Sequence, residues 1–460
     1  MMTKNKRKHN NKRNIVSVLI GIIFLLLVLV VHICIKDFKY EEKQPEIITV
    51  EECLIKEEIN TNNENSFEVI MEGTCKETKD AGLEEDTLES EVTSEEFQEK
   101  EESFTLEETI NQLTLEEKAA QMFFVTPESI TGVDKVIQAG DTTKSILEKY
   151  PVGGIVYFAQ NLVSPEQTKE MLSNVQKYSM ERIGLPVFIG IDEEGGRVLR
   201  IGSNPAFGVE KVDAMGELAK QQNKEIIYEA GNTIGSYLSE LGFNVDFAPD
   251  ADVLSNVENN VIGNRSFGTN PEDVAEMAWV YSEGLHSNNV LATYKHFPGH
   301  GGTIEDSHTG YAYSYKTLEE FKEMELIPFQ EGANEGIDFI MVSHISTPKV
   351  TGDDIPVSLS KLWVTDILRD EMGYKGIIIT DSLSMGAICE HYTAEEAAVM
   401  AIEAGCDMIL MPSDFETAYS AIIKAVENGQ ISEERIDESV KRIIITKQKL
   451  NQIKEAKQNQ

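Results

Sequence analysis

Charged and imidazole side chains follow several short apolar segments of this sequence. Asp192 follows Ile-Gly-Ile, Lys295 and His296 follow Leu-Ala-Thr-Tyr, His344 follows Ile-Met-Val-Ser, and Asp381 follows Ile-Ile-Ile-Thr. A carboxylate can act as a nucleophile, and an imidazole can donate or accept a proton near neutral pH. Barrel enzymes assemble such side chains at the C-terminal ends of their strands. The spacing therefore predicts one active site, built from the ends of several strands.

Asp381 is the strongest candidate for a nucleophile. It ends the segment Gly-Ile-Ile-Ile-Thr-Asp and is followed by Ser-Leu-Ser-Met-Gly-Ala, whose small residues would let a ligand approach closely. A carboxylate in this position can attack an electrophilic carbon. An aspartate that precedes a helix can equally act as its N-cap. The local sequence leaves both interpretations open.

The segment 295–308 contains a second candidate group. It runs from a strand end through a turn rich in proline and glycine into a polar loop with Asp306 and His308. A carboxylate two residues from an imidazole can accept its hydrogen bond, fix its tautomer and adjust its pKa for acid/base catalysis. Out of context, such a pair is also common in ordinary loops. His300 and the glycines beside it are expected to shape the turn.

The elements that must position these residues alternate between short apolar and longer amphipathic segments after Phe104, the pattern of βα units. The predicted strands are 120–125, 154–158, 187–191, 245–248, 291–295, 339–343, 376–380 and 408–411. Helices are predicted between them, among them 271–287, 317–334, 359–371 and 394–404. About eight such repeats favour an α/β fold of the (β/α)8 TIM-barrel type over an open sheet. No Gly-x-Gly-x-x-Gly follows the first strand, which argues against a nucleotide fold.

Four separated motifs, taken together, resemble those of one enzyme family. They are DEEGGRVLR at 192–200, IGNRSFG at 262–268, KHFPGHG with DSH at 295–308, and ITDSLSMGA at 379–387. In this order they resemble the β-N-acetylhexosaminidase branch of glycoside hydrolase family 3. The resemblance covers nearly all of the chain after residue 103.

This resemblance implies a retaining exo-β-N-acetylhexosaminidase that removes terminal N-acetylglucosamine through a covalent glycosyl-aspartate intermediate. Such a reaction needs one group to attack the anomeric carbon and another to protonate the leaving oxygen. By resemblance, Asp381 is the nucleophile, His308 is the acid/base and Asp306 orients His308. The sugar-binding residues that it implies are Asp192, Arg200, Arg265, Lys295 and His296. As an alternative, these charged residues could form ion pairs at the barrel mouth or staple loops.

Other activities stay open at this point. β-Glucosidases of the family take a glutamate acid/base from a second, C-terminal domain. Because this chain ends at Gln460, its acid/base is expected to come from the barrel. An imidazole repels an incoming anion less than a carboxylate does, so phosphorolysis is an alternative to hydrolysis. A β-glucosidase and a non-catalytic wall-binding protein are the further alternatives.

The first 103 residues predict a membrane anchor and a spacer. Residues 15–35 are almost uniformly apolar and long enough to cross a hydrocarbon core of ~30 Å as a helix. Basic residues precede this segment, so residues 1–14 are expected in the cytoplasm and the rest outside the membrane. The Glu-rich residues 36–103 are expected to be a disordered linker, and 104–455 the catalytic barrel. A cleaved signal peptide is the alternative to the anchor.

The composition argues against two classes of partner. The formal net charge is −38 and no basic stripe follows the first residues, which excludes the electrostatic pattern of nucleic-acid binding. The five cysteines have no Cys-x-x-Cys spacing, so no metal site is expected, and no organic cofactor is expected either. Cys53 and Cys75 could pair outside the cell, which the sequence leaves open. The expected partners are a carbohydrate ending in N-acetylglucosamine and the membrane, and the protein is expected to be a monomer.

Overall fold

Eight parallel strands form the centre of the fold in the computed structural model, which describes residues 106–303 and 312–458. The described residues contain ten strands, of which all but β6 and β8 belong to this central sheet. In chain order they are β1 (Phe123–Val125), β2 (Gly154–Val156), β3 (Phe188–Ile191), β4 (Val245–Asp246), β5 (Leu291–Phe297), β6 (Ala312–Tyr313), β7 (Phe339–Val342), β8 (Ile345–Ser346), β9 (Ile377–Thr380) and β10 (Ile409–Leu410). The central sheet has the order β10-β1-β2-β3-β4-β5-β7-β9. A parallel bridge between Ile379 and Met408 joins its two edges, so the barrel is nearly closed. The predicted barrel is confirmed, with a strand at each of the eight predicted positions.

A small two-stranded sheet lies beside the barrel and was not expected from the sequence. It pairs β6 with β8 in parallel, with Ala312 opposite Ile345 and Tyr313 opposite Ser346. Because β8 starts three residues after β7 ends, this pair extends the C-terminal end of the barrel.

Longer helices follow the strands and cover the outside of the barrel, as the (β/α)8 architecture requires. They are Asp141–Lys149, Pro165–Ile183, Lys224–Leu241, Pro271–His286, Leu326–Glu335, Leu362–Glu371, Ala394–Ala404, Phe415–Glu427 and Glu433–Gln458. Shorter helical turns lie between them: Leu115–Gln121, Pro127–Thr131, Ala159–Asn161, Met215–Ala219, Gly263–Arg265, Leu318–Lys322, Pro348–Thr351, Val357–Leu359 and Gly386–Cys389.

The helix Pro165–Ile183 illustrates how local sequence sets these boundaries. The Ser164 hydroxyl accepts a hydrogen bond from the Gln167 backbone N–H at 3.3 Å. Pro165 is the first helical residue, where no N–H donor is needed. Gly184 ends the helix at φ 69°, the left-handed conformation that favours glycine.

Three predicted elements were wrong in detail. The predicted helix 317–334 is two helices, Leu318–Lys322 and Leu326–Glu335, and Pro328 lies at the start of the second, where it has no N–H to continue the first. The predicted helix 359–371 is a 3₁₀ turn followed by a π-helix, Leu362–Glu371. The first two residues of the predicted strand 120–125 end the helix Leu115–Gln121 instead.

Aromatic side chains fill the barrel interior. The ring centroids of Phe124 and Phe247 lie 5.1 Å apart, and those of Phe188 and Phe339 lie 5.3 Å apart, both pairs edge to face. Such pairs contribute about 0.5–1.5 kcal/mol beyond the apolar area that they bury. A Cβ atom at Gly154 would overlap the Phe124 ring, so this strand position needs glycine for space.

A lysine is buried in the last helix, which is unusual for a charged side chain. Lys447 is fully buried, donates a hydrogen bond to Gln121 Oε1 at 2.7 Å and lies 5.1 Å from the Phe188 ring centroid. Burial lowers the pKa of Lys447 to about 7. The amine is therefore largely uncharged in the folded protein above neutral pH.

Replacing Lys447 with methionine should stabilise the protein at neutral pH. Lowering the Lys447 pKa from 10.5 to about 7 destabilises the folded protein by about 4 kcal/mol at pH 7, relative to an exposed lysine. Losing the bond to Gln121 costs about 1–3 kcal/mol. We therefore expect the free energy of unfolding of Lys447→Met to be about 2 kcal/mol higher at pH 7, measured by denaturant titration.

The same substitution predicts a pH dependence. Between pH 7 and 9 the unfolded chain keeps the Lys447 proton and the folded protein does not, so wild-type stability rises with pH by up to about 1.4 kcal/mol per pH unit. The difference in the free energy of unfolding between Lys447→Met and the wild type should therefore decrease from pH 7 to pH 9. Lys441→Met, at an exposed position of the same helix, is the control. An equal effect of both substitutions at every pH would contradict the assignment.

The predicted cytoplasmic segment 1–14, anchor 15–35 and linker 36–103 lie outside the described residues, so these predictions are untested. None of the helices within 106–303 and 312–458 combines the length and apolar character needed to span a bilayer.

Candidate active site

A cavity of about 790 Å³ opens where the barrel strands end. Its polar walls come from residues that follow or end β3, β5 and β9, and from the loop before residue 271. They include all five predicted binding residues and the predicted nucleophile: Asp192, Arg200, Arg265, Lys295, His296 and Asp381. The structure thus brings together six residues that are spread over 190 positions of the sequence. The roles assigned to them remain predictions.

Glu194 joins two of the cations in this cavity. Its carboxylate accepts two hydrogen bonds from Arg265, both at 2.8 Å, and lies 2.6 Å from Lys295 Nζ. Only 4% of its side chain is exposed. Burial raises the pKa of Glu194, but the charges of Arg265 and Lys295 lower it more, so the pKa lies well below its ordinary value. Glu194 is therefore a carboxylate that fixes both cations.

Asp192 is more open to the cavity than Glu194. Its carboxylate lies 3.0 Å from Lys295 Nζ and 3.5 Å from an Arg200 guanidinium nitrogen, with 23% of the side chain exposed. Burial lowers the pKa of Lys295, but Glu194 and Asp192 raise it more. Lys295 is therefore an ammonium ion held between two carboxylates. Asp192 keeps exposed surface for a ligand.

Two further aspartates after β4, Asp250 and Asp252, contact side chains that line the cavity. Asp250 Oδ2 lies 3.3 Å from Arg265 Nε. Asp252 Oδ2 lies 2.8 Å from His296 Nδ1. Both aspartates are buried. Burial raises the pKa of Asp250 to about 7; the Arg265 charge opposes this rise and the neighbouring Asp252 adds to it.

The ligand atoms of Asp250, Asp252 and His296 lie within 4.8 Å of one another, which would also suit a metal ion. In this structure the Arg265 guanidinium, 3.3 Å from Asp250, supplies positive charge at that point. The three residues are therefore accounted for by protein contacts. The prediction of no metal is not tested by this geometry.

Asp381 is positioned by the end of β9. Its backbone N–H donates to the Val342 carbonyl at 2.8 Å, and its Oδ1 accepts from the Ser382 N–H at 2.7 Å. The side chain is partly exposed and lines the cavity. The following helix, Gly386–Cys389, has Met385 as its N-cap. The alternative of Asp381 as a helix cap is therefore not supported.

Asp306 and His308, the predicted acid/base pair, lie outside the described residues. The described chain leading to them is fixed at His300, whose carbonyl accepts from Asn259 Nδ2 at 2.8 Å. His300 Nδ1 lies 2.8 Å from the Thr303 hydroxyl. His300 thus shapes the turn, as predicted.

Glu193 and His344 support the site without lining the cavity. The Glu193 carboxylate accepts from the backbone N–H groups of residues 200–202 and from the Tyr237 hydroxyl, and so holds the loop that carries Arg200. His344 is buried, with Nδ1 2.8 Å from the Ser358 hydroxyl and Nε2 2.9 Å from the Ser382 carbonyl. It thereby fixes the turn after Asp381.

Sequence reasoning missed Glu194, Asp250, Asp252 and Arg197 as parts of this site. A usable signal existed for the two aspartates, because they follow the predicted strand 245–248 as the other site residues follow their strands. Arg197 lines the cavity and donates to the carbonyls of Val261 and Ile262.

Replacing Glu194 with glutamine should destabilise the protein by about 3 kcal/mol, because Arg265 and Lys295 would lose a buried counter-charge. Glu217→Gln, which breaks an exposed ion pair with Lys220, should cost less than about 1 kcal/mol. Denaturant titration of both variants measures this difference.

The loss of stability in Glu194→Gln should also depend on pH. The folded pKa of Glu194 lies below its ordinary value of 4.5, so the stability that it contributes is present above that pH and is lost below it. The gap between wild type and Glu194→Gln should therefore narrow as the pH falls below about 4.5. A gap of similar size for Glu217→Gln, or one that widens in acid, would contradict this account.

A parallel barrel with a charged cavity at the C-terminal ends of its strands defines a (β/α)8-barrel enzyme. The chain belongs to glycoside hydrolase family 3, because the model of the glycosyl hydrolase family 3 N terminal domain matches residues 106–446.

Three similar proteins have names that refer to hexosamines. The beta-hexosaminidase A of Pseudoalteromonas piscicida is 32% identical over 330 residues, which are 67% of this chain and 55% of that protein. The beta-hexosaminidase of Idiomarina loihiensis is 33% identical over 275 residues, 59% of this chain and 79% of that protein. A solved family 3 beta-N-acetylglucosaminidase from Paenibacillus sp. str. FPU-7 has a TM-score of 0.69 and 38% identity, covering 74% of this chain and 63% of that one. The chain thus spans little more than half of the first relative's length.

Proposed function

We propose that this protein is a retaining exo-β-N-acetylglucosaminidase that hydrolyses terminal β-linked N-acetylglucosamine from cell-wall-type glycans or their fragments. The observation that carries the proposal is the position of Asp381, which lies in one cavity with Asp192, Lys295 and Arg265. The names of the hexosaminidase relatives and of the Paenibacillus structure support the substrate class.

The charged walls suit a ring that carries several hydroxyl groups. Hydroxyls can donate to Asp192 and accept from Lys295 and Arg200, and hydrogen bonds to charged groups are about twice as strong as neutral ones. The cations are already oriented by Glu194 and Asp192, so little reorganisation is needed when a sugar binds. Apolar residues line the rest of the cavity and can pack against the sugar face and an acetamido methyl group: Val156, Phe158, Phe247, Met341, Met385, Leu410 and Met411.

In the proposed reaction, an Asp381 carboxylate oxygen bonds to the anomeric carbon while the bond to the leaving oxygen breaks. His308, protonated and oriented by Asp306, gives its proton to that oxygen. Water then attacks the glycosyl-aspartate, and His308 takes the water proton as the bond to Asp381 breaks. The products are the free alcohol and N-acetylglucosamine with its β configuration retained.

An aryl-glycoside assay with the full-length chain in detergent tests this function. We expect release from aryl β-N-acetylglucosaminide to be at least about 10²-fold faster than from aryl β-glucoside, because a site built for the acetamido group loses contacts without it. Phosphate should not change the product. A sugar phosphate as product would indicate a phosphorylase, faster glucoside cleavage would indicate a β-glucosidase, and no cleavage of either would favour a wall-binding protein.

We further propose that residues 15–35 anchor the enzyme in the membrane, with the barrel on the outer side. The apolar sequence of 15–35 and the basic residues before it support this orientation. Protease added to intact cells should then digest the barrel of the full-length chain. A barrel that becomes accessible only after lysis, or that fractionates with the soluble protein, would contradict the anchor.

A further inference from the structure

One buried carboxylate holds the turn that carries His296. Asp252 Oδ1 accepts from the backbone N–H groups of His296 and His300, at 3.2 and 2.6 Å, and its Oδ2 lies 2.8 Å from His296 Nδ1. Asp252 has no exposed surface and does not line the cavity. The three hydrogen bonds of its carboxylate therefore all go to the segment 296–300 at the end of β5, in which His296 is the residue that lines the cavity.

The other ring nitrogen of His296 faces a donor. Its Nε2 lies 3.4 Å from an Arg265 guanidinium nitrogen, and His296 lines the cavity. A guanidinium can donate hydrogen bonds but cannot accept them, so Nε2 must be the acceptor of this pair. The ring proton then lies on Nδ1, where it is donated to Asp252. Both contacts lead to the same tautomer.

The neutral form of His296 fits this arrangement. Burial lowers the pKa of His296 to about 4, and the Arg265 charge contributes to the lowering. The charged or titratable groups that surround the ring are Asp250, Asp252, Arg265, Lys295, His300 and Asp381. At neutral pH His296 is thus an uncharged imidazole with one N–H and one lone pair.

We propose that Asp252 is a positioning residue, which holds His296 as the Nδ1–H tautomer and presents the Nε2 lone pair to the cavity. When a sugar binds, one of its hydroxyl groups replaces Arg265, 3.4 Å away, as the donor to this lone pair, while Arg265 keeps its two hydrogen bonds to Glu194. This part of the inference rests on the proposed function. Asp252 does not touch the sugar itself. Its effect on turnover is transmitted by the tautomer of His296.

An asparagine at position 252 would reverse the polarity of this contact. Its oxygen can still accept from the two backbone N–H groups, but its amide then points an N–H group at His296 Nδ1. The ring proton would have to move to Nε2, where it would face the N–H of Arg265. A protonated Nε2 cannot accept a hydrogen bond from a hydroxyl group. We therefore expect Asp252→Asn to keep the fold and to lower kcat/KM by about 10²-fold.

The experiment combines nitrogen NMR with kinetics on the full-length chain in detergent. Histidines are labelled with ¹⁵N, and the His296 signal is identified by its loss in His296→Gln. The matched control is Asp338→Asn, which alters the contact of a buried aspartate with the partly exposed His286, 2.7 Å away, at the opposite end of the barrel strands. Hydrolysis of aryl β-N-acetylglucosaminide is measured for each variant.

We expect Nδ1–H for His296 in the wild type and in Asp338→Asn, and Nε2–H with the kinetic loss in Asp252→Asn. A wild-type Nε2–H tautomer would overturn the proposal, even if Asp252→Asn failed to fold. So would a switched tautomer with unchanged kcat/KM. If the wild type cleaves no glycoside, the proposed function fails, and the His296 signals of the wild type and of Asp252→Asn together still decide whether Asp252 sets the tautomer.

Discussion

Replacement of Asp381 with asparagine should reduce kcat for an aryl β-N-acetylglucosaminide by about 10⁴-fold or more, because the amide cannot form the glycosyl-enzyme bond. The side chain accepts a hydrogen bond from the Ser382 N–H, which the amide oxygen of asparagine can also accept. The fold should therefore be kept, and the loss should be confined to kcat. Steady-state kinetics and a thermal melt of the same preparation separate these effects.

The control for this variant is Asp354→Asn, an exposed aspartate beyond β8 that does not line the cavity. Its kcat should stay within about 2-fold of the wild type, as is usual for surface substitutions. A shorter variant, Asp381→Ala, leaves space for azide to attack from the side that the carboxylate occupied, so added azide should restore cleavage and give an α-glycosyl azide. If Asp381→Asn keeps a tenth of the wild-type kcat, Asp381 is not the nucleophile.

The loss caused by His308→Ala should depend on the leaving group. A general acid contributes about 10²–10⁴-fold when the leaving oxygen needs a proton. We therefore expect a loss of about 10³-fold for a disaccharide and less than about 10-fold in the glycosylation step for a dinitrophenyl glycoside, which leaves without a proton. Single-turnover kinetics on both substrates measure this step.

His391→Ala, at an exposed histidine outside the cavity, provides the comparison for His308→Ala. It should leave both substrates unaffected. Equal losses for the two leaving groups in His308→Ala would show that His308 does not protonate the departing oxygen. In that case the acid/base would have to be sought among the other titratable groups of the cavity.

The barrel could be predicted because its strands are buried on both faces and read as continuous apolar segments, such as Ile-Ile-Ile-Thr in β9. Each of three site residues directly follows such an apolar segment, so all three could be placed at the C-terminal end of the barrel: Asp192, Lys295 and Asp381. The motif resemblance then assigned them roles. These inferences needed only the order of residues along single strands.

Contacts between distant residues were beyond the sequence. Of two adjacent glutamates, Glu194 points into the cavity and pairs with Arg265 and Lys295. Glu193 points away from the cavity and accepts hydrogen bonds from the loop 200–202. Lys447 looks like a surface residue of an amphipathic helix, yet the packing of that helix buries it. The direction of side chains in a loop decides the first case, and the way in which a helix packs on the barrel decides the second. Neither can be read from the order of residues.

Trapping of the covalent intermediate tests the central claim most directly. The full-length enzyme is incubated with 5-fluoro-N-acetylglucosaminyl fluoride, whose fluorine slows release of the glycosyl group, and its peptides are analysed by mass spectrometry. We predict a mass increase of one fluorinated N-acetylglucosaminyl group on the peptide that contains Asp381, located at Asp381 by fragmentation. A label on another carboxylate such as Asp192, or continued turnover with no labelled peptide, would contradict the assignment of Asp381 as the nucleophile.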